Sequence, residues 1–219
     1  MEIHADLERD AIIAIATLPW VPTPAAGVER RMLERDGDEV ARATSVVRYA
    51  RGCSFPAHEH GGGEEFLVLA GRFDDEHGQY EAGTYVRNPP GSRHAPSAAL
   101  GCTIFVKLRQ FAGDDTRSVV VRPQQRAWVT LPSGMRRCEL HAHGAEAVAL
   151  LELPVGFEGE LPAGTGAGWE LLLCEGTLEA AGVELRAPAW WRRAAPPARV
   201  RSAAGAQVWT KTGHFAARR

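Results

Sequence analysis

Short runs of β-branched and aromatic residues recur along this chain, and glycine, proline or aspartate closes each of them. The clearest are Ala43–Tyr49, Phe66–Leu69, Thr103–Leu108 and Ser118–Arg122, and each predicts a strand. No window of three or more helical turns carries an apolar stripe at helical spacing with caps at its ends. Short strands with turn signals every 8–12 residues or so predict an all-β sandwich or barrel.

The pattern also repeats. Trp20 to Leu33, with Gly27, Arg30 and Arg31, returns as Trp128 to Leu140, with Gly134, Arg136 and Arg137. Glu64–Gly71 returns as Trp169–Gly176. Trp20 to Trp128 is an offset of 108 residues, and Gly71 to Gly176 one of 105. A near-constant offset predicts a duplication, with units at 1–113 and 114–219. The expected boundary is the polar turn at Gly113–Thr116.

Composition narrows the partners. The chain has 219 residues and a formal charge of −2, so binding to nucleic acid through bulk charge is not expected. Its 23 glycines and 14 prolines supply the turns of a short-stranded fold. The longest apolar run, Ala11–Leu18, is too short to span a bilayer, and the acidic N-terminus does not read as a signal peptide. Cys53, Cys102, Cys138 and Cys174 are widely spaced, which predicts reduced thiols in a cytoplasmic protein. Lysine occurs only at 107 and 211.

One segment carries chemistry. His58 and His60 are two residues apart, so on a strand they project to one face. Gly61–Gly63 can form a tight hairpin turn that returns Glu64 beside them, with Phe66 and Val68 on the same face to keep it dry. Pro89-Pro90-Gly91 predicts a turn before His94, which brings a third imidazole from a neighbouring strand. Neutral imidazoles and one carboxylate suit a divalent ion, with zinc foremost and iron, manganese or nickel also compatible.

The spacing G-x5-H-x-H-x3-E-x6-G, followed by G-x5-P-x-G-x2-H, resembles the two cupin motifs. The matching positions are Gly52, His58, His60, Glu64, Gly71, Gly83, Pro89, Gly91 and His94. Ala98 stands where the second motif usually ends in asparagine, and that position is not a ligand. Phe55–His60, Glu64–Leu69, Arg87–Ser92 and Gly101–Leu108 are similar to the cupin domain of ChrR-type anti-sigma factors. The resemblance implies two tandem double-stranded β-helices (jelly rolls) with one metal in the mouth of the first. It does not extend to sigma-factor binding, because the H-x3-C-x2-C element of the ChrR zinc domain has no counterpart here.

The second unit is expected to lack the metal. Pro162, Gly164 and Trp169 stand at the places of His58, His60 and Glu64, and no histidine follows Pro188–Trp191. Trp169, Trp190 and Trp191 are expected to fill the space that the ligands leave. His141-Ala-His143 repeats the H-x-H spacing without a later Glu and His, so it is not assigned a metal. Glu65 points away from the site by parity, towards an outward salt bridge or an interface. His4, His77 and His214 are read as surface residues. The expected function is a metal-binding bicupin that takes a small oxygenated or anionic ligand, in a sensor or regulatory role. The alternative is a metal-dependent dioxygenase acting on a diketone or aryl ketone. A homodimer is the expected assembly, with neither nucleic acid nor membrane as partner.

Overall fold

The computed structural model describes residues 1–38, 40–196 and 199–215. Strands dominate it, and the helical turns among the described residues are two 3-10 segments, Ile15–Thr17 and Pro123–Gln125. The expected strands occur at Arg42–Tyr49, within Glu64–Asp75, at Cys102–Leu108 and at Val119–Val121.

The chain divides into two compact units. One comprises Met1–Ala5 and Leu18–Gln125, and the other Asp6–Thr17 and Arg126–Arg219. The division therefore falls after Gln125 rather than after residue 113, and residues 6–17 leave the first unit. Strand pairing is the reason. Val119–Val121 pairs with Tyr85–Asn88, so the first unit is completed beyond the expected boundary. Ala11–Ala14 pairs with Ala189–Arg193 and belongs to the second unit. The polar turn at 113–116 is a loop of the first unit, where buried Asp115 meets Arg87 at 2.8 Å.

In the first unit the main sheet runs Val28–Asp36, Arg42–Tyr49, Cys102–Leu108, Glu64–Asp75, Tyr85–Asn88 and Val119–Val121. In the second it runs Arg136–His143, Glu146–Leu153, Ala206–Thr212, Trp169–Ala180, Ala189–Arg193 and Ala11–Ala14. The same antiparallel order in both units is the structural counterpart of the sequence repeat. Phe66, Val68, Phe73, Val86, Ile104 and Val106 share one core cluster of the first unit. Trp169 and Trp191 are buried in a core cluster of the second, with ring centroids 5.6 Å apart. Trp190 instead faces the other side of its strand, where its indole N–H donates to Glu170 Oε1 at 2.7 Å.

That other side holds charge in both units. Glu65 is the cross-strand neighbour of Arg87 and Lys107, and Glu170 of Arg192 and Lys211. All six are buried. Arg87 lies 3.1 Å from Glu65, and the Tyr85 hydroxyl donates to the same carboxylate at 2.7 Å. Lys107 donates to Thr44 Oγ1 at 3.0 Å, and Lys211 lies 3.0 Å from Glu146. Buried charges persist only when paired in this way. His214 joins the second network at 3.1 Å from Glu170 and is buried, which corrects its reading as a surface residue. His4 and His77 are exposed as expected.

A β-bulge interrupts the longest strand of each unit. Leu69 has no partner between Val68 and Ala70, and Cys174 none between Leu173 and Glu175. Shortly after each bulge comes a glycine at positive φ, Gly71 at +71° and Gly176 at +83°. A Cβ at Gly71 would run into the Gly101 carbonyl oxygen, and one at Gly176 into that of Gly205. Gly71→Ala is therefore expected to destabilise the first unit by about 3 kcal/mol, from φ strain and from the backbone clash. Denaturant unfolding of the variant checks this, and a loss below about 0.5 kcal/mol would contradict it.

Candidate metal centre

Two three-residue strands assemble the site. His58–His60 pairs antiparallel with Ser92–His94, so that His58 faces His94 and His60 faces Ser92. The expected hairpin from His60 into Glu64 is thus corrected: the strand carrying the histidines pairs with the one ending in His94. The glycine run still turns the chain, with Gly63 N–H donating to the His60 carbonyl at 3.1 Å. It also leaves room. A side chain on Gly62 would strike Arg109, and one on Gly63 the Phe111 ring. Past Pro89 and Pro90, Ser92 N–H donates to Pro89 O at 3.0 Å, and Gly91 N–H donates to His60 O at 2.9 Å. That last bond ties the second loop to the first histidine strand.

The three predicted histidines form one group, and Glu64 reaches two of them. Donor atoms of His58, His60 and His94 lie within 4.8 Å of one another. His60 Nε2 and His94 Nε2 are 2.9 Å apart, and Glu64 Oε2 is 3.5 Å from each. His60, Glu64 and His94 are buried, and His58 is half-buried. The His58 and His94 rings are held from behind through Nδ1. His58 Nδ1 lies 2.9 Å from the Pro56 carbonyl, and His94 Nδ1 lies 3.2 Å from Asp75 Oδ2. A neutral imidazole that donates from Nδ1 presents a bare lone pair at Nε2. Lone pairs converging on one point repel unless a proton or a metal cation sits among them. Adjacent ligands on one divalent ion stand roughly 3.0–3.4 Å apart for bonds of about 2.1 Å, and the separations among His60, His94 and Glu64 come within about 0.1 Å of that range.

Asp75, Asn88 and Tyr80 are site residues that sequence reasoning missed. Asn88 Nδ2 donates to Glu64 Oε2 at 3.3 Å. Tyr80 O–H donates to Asp75 Oδ1 at 3.2 Å, and the amides of His77 and Gly78 donate to the same oxygen. Parity counted from Glu64 sets Asp75 on the opposite face, but the bulge at Leu69 reverses the alternation and turns it inward. Glu65 does point away from the site as its parity predicts, and it meets Tyr85 and Arg87 on the far face in the charge network already described.

The electrostatics divide the imidazoles. Burial lowers the pKa of both His58 and His60, and the His94 charge adds to this. Burial also pulls His94 down, but the Asp75 hydrogen bond and the Glu64 and Asp75 charges outweigh it, and its pKa is raised. A cavity of about 450 Å³ adjoins the site. Phe55, Val47, Ile104, Val106 and Leu108 give it apolar walls, and His58, His60 and Glu64 border it. Such a volume is in the range of small-molecule sites.

Residues 8–112 match the family model of the ChrR cupin-like domain. A solved candidate dioxygenase of Nostoc punctiforme superposes with a TM-score of 0.77 over 95% of this chain and 84% of its own, at 14% identity. The chain has the cupin fold. Other cupin-fold neighbours are a bacterial pirin of Escherichia coli in complex with nickel(II), at TM-score 0.69, 12% identity, and 93% and 98% coverage, and a variant of the oxalate decarboxylase OxdC of Bacillus subtilis, at TM-score 0.66, 9% identity, and 96% and 78% coverage. At these identities the likeness is one of fold. Among curated protein sequences none matches this chain.

Within the cupin site, Asp75→Asn is expected to lower the His94 pKa, because the carboxylate that favours the imidazolium is gone. In the metal-free protein a raised His94 contributes stability fully below the ordinary histidine pKa of about 6.5 and loses it as pH rises through its folded value. The lowered His58 and His60 work in the opposite sense. Their contribution is full above about pH 6.5 and is lost as pH falls through their folded values. Asp75→Asn should therefore leave metal-free protein more sensitive to acid. Histidine ring titration by NMR reads the pKa, and an unchanged His94 would contradict the assignment.

Proposed function

We propose that the N-terminal unit binds one divalent metal ion through His58, His60, Glu64 and His94, and that it takes a small oxygenated or anionic ligand in the adjoining cavity. The convergence of His60 Nε2, His94 Nε2 and Glu64 Oε2 within 3.5 Å carries this reading. Zinc is the foremost candidate, and iron, manganese and nickel suit the same donors. A bound ion would act as a Lewis acid on an oxygen of the ligand. The chain supplies the rest. Asp75 and the Pro56 carbonyl fix the His94 and His58 rings, Asn88 orients the Glu64 carboxylate, and the apolar walls exclude water. One carboxylate against a divalent ion leaves net positive charge beside the cavity, which favours oxyanions. The role that fits a bound metal and a ligand pocket is that of a sensor or regulatory module.

The second reading is a metal-dependent dioxygenase acting on a diketone or aryl ketone. What favours it is the open approach from the cavity to the ligand residues. In the second unit Trp169 and Trp191 are packed into the core where the first unit keeps its site, so one metal per chain is expected.

Metal analysis of purified protein, with O2 uptake measured over diketones and aryl ketones, separates the readings. Zinc without uptake supports the binding module, and iron with ketone-dependent uptake supports the dioxygenase. His94→Ala should reduce bound metal at least about tenfold. Full metal content in that variant would overturn the site.

A further inference from the structure

The cavity of the first unit carries a second charged group, across the sheet from the histidines. Arg30 and Arg35 both line it, from the strand Val28–Asp36. They are five positions apart, and strict alternation would send them to opposite faces. A β-bulge at Leu33, between Met32 and Glu34, restores them to the same inner face. Glu34 lies on the opposite face, where it is buried and pairs with Arg42.

The two guanidinium groups lie near enough for Arg35 to lower the Arg30 pKa, in addition to the lowering that burial causes. Arg30 Nε is buried without a hydrogen-bond partner, and no ion pair holds Arg30 among the described residues. Arg35 acts on Asp38, an exposed carboxylate already held by the Met1 amine. Two like charges crowded into a cavity wall without a buried carboxylate between them are unfavourable, unless a ligand supplies the anion.

The register fixes their relation to the metal ligands. Arg35 faces Ala43, Ala43 faces Leu108, and Leu108 faces Glu64. Arg30 faces Val47, Val47 faces Ile104, and Ile104 faces Val68. Three strand spacings therefore separate the arginine strand from that of Glu64, about 14 Å along the sheet, and apart from Ser45 the cavity wall on the two strands between them is apolar.

We propose that Arg30 and Arg35 form a carboxylate clamp, and that the barrel takes an elongated amphipathic ligand with an oxygen-bearing head at the histidines and a carboxylate at the arginines. The head end rests on the metal reading above; the clamp end stands on the arginines alone. Two guanidinium groups offer a carboxylate charge-assisted, two-pronged hydrogen bonding.

Calorimetric titration of the full chain with nonanedioate and nonanoate tests this. Metal-loaded protein should bind nonanedioate at least about tenfold more tightly than nonanoate, because only the dianion reaches both ends. Arg30→Gln/Arg35→Gln should erase that preference while keeping full metal content. Metal-free wild type should still bind nonanoate, and the double variant should not. Nonanoate binding that is absent from metal-free wild type, or equal in the double variant, overturns the clamp and leaves the metal reading standing. A wild type that retains no metal overturns the metal reading and leaves the nonanoate comparison to decide the clamp. Metal-free Arg30→Met should melt at the wild-type temperature or higher, because a repelling charge is removed. A lower melting temperature would make Arg30 a structural residue and overturn its role in the clamp.

Discussion

The site depends on a backbone ladder of three residues against three. His58–His60 and Ser92–His94 are short, and neither would hold alone. Their pairing sets His94 opposite His58, and the amide of Gly91 anchors the second loop on the His60 carbonyl. The imidazole positions are therefore set by main-chain hydrogen bonds, with side-chain and carbonyl acceptors behind two of the rings for orientation. Glu64 enters from a different sheet, on the twelve-residue strand Glu64–Asp75. The same strand leaves at its far end with Asp75, which returns to the His94 ring. One strand thus provides a first contact to the site and a support behind it.

Much of this was legible in the sequence because the relevant spacing is local. His58 and His60 share a face by simple alternation, and Pro89 to Gly91 announces its turn. The duplication was legible too, since Trp20 to Leu33 and Glu64–Gly71 return at offsets of 108 and 105 residues. What escaped depends on pairing between distant segments. The partner of His58–His60 is thirty-odd residues away, and no local signal distinguishes it from Glu64. The ends of the units escaped for the same reason, because Val119–Val121 and Ala11–Ala14 are strands whose partners lie elsewhere in the chain.

Bulges account for the other misses. Alternation is reliable only while the strand stays in register. Leu69 resets it before Asp75, and Leu33 resets it before Arg35. Both residues read as ordinary apolar strand positions. Asp75 and Arg35 each gain a place on the inner face from a single unpaired residue upstream. The two tryptophans of the second unit show the converse. Trp169 takes the position of Glu64, and its indole with that of Trp191 occupies the core where the first unit keeps polar ligands. Burying side chains of this size stabilises a fold by about 2–3 kcal/mol each, which the second unit gains at a position that the first gives to a polar ligand.

The segment Asp6–Thr17 is a donor strand in its own chain. Cleavage after Gln125 would leave a first fragment with all its own strands and a spare one, and a second fragment with Ala189–Arg193 as a bare edge. Such an edge is a template for another strand. A synthetic peptide carrying Ala11–Ala14 would complement it, and without one the second fragment would tend to self-associate. The order of the polypeptide, in which the first unit carries a piece of the second, thereby binds the two halves of a duplicated gene into one inheritance.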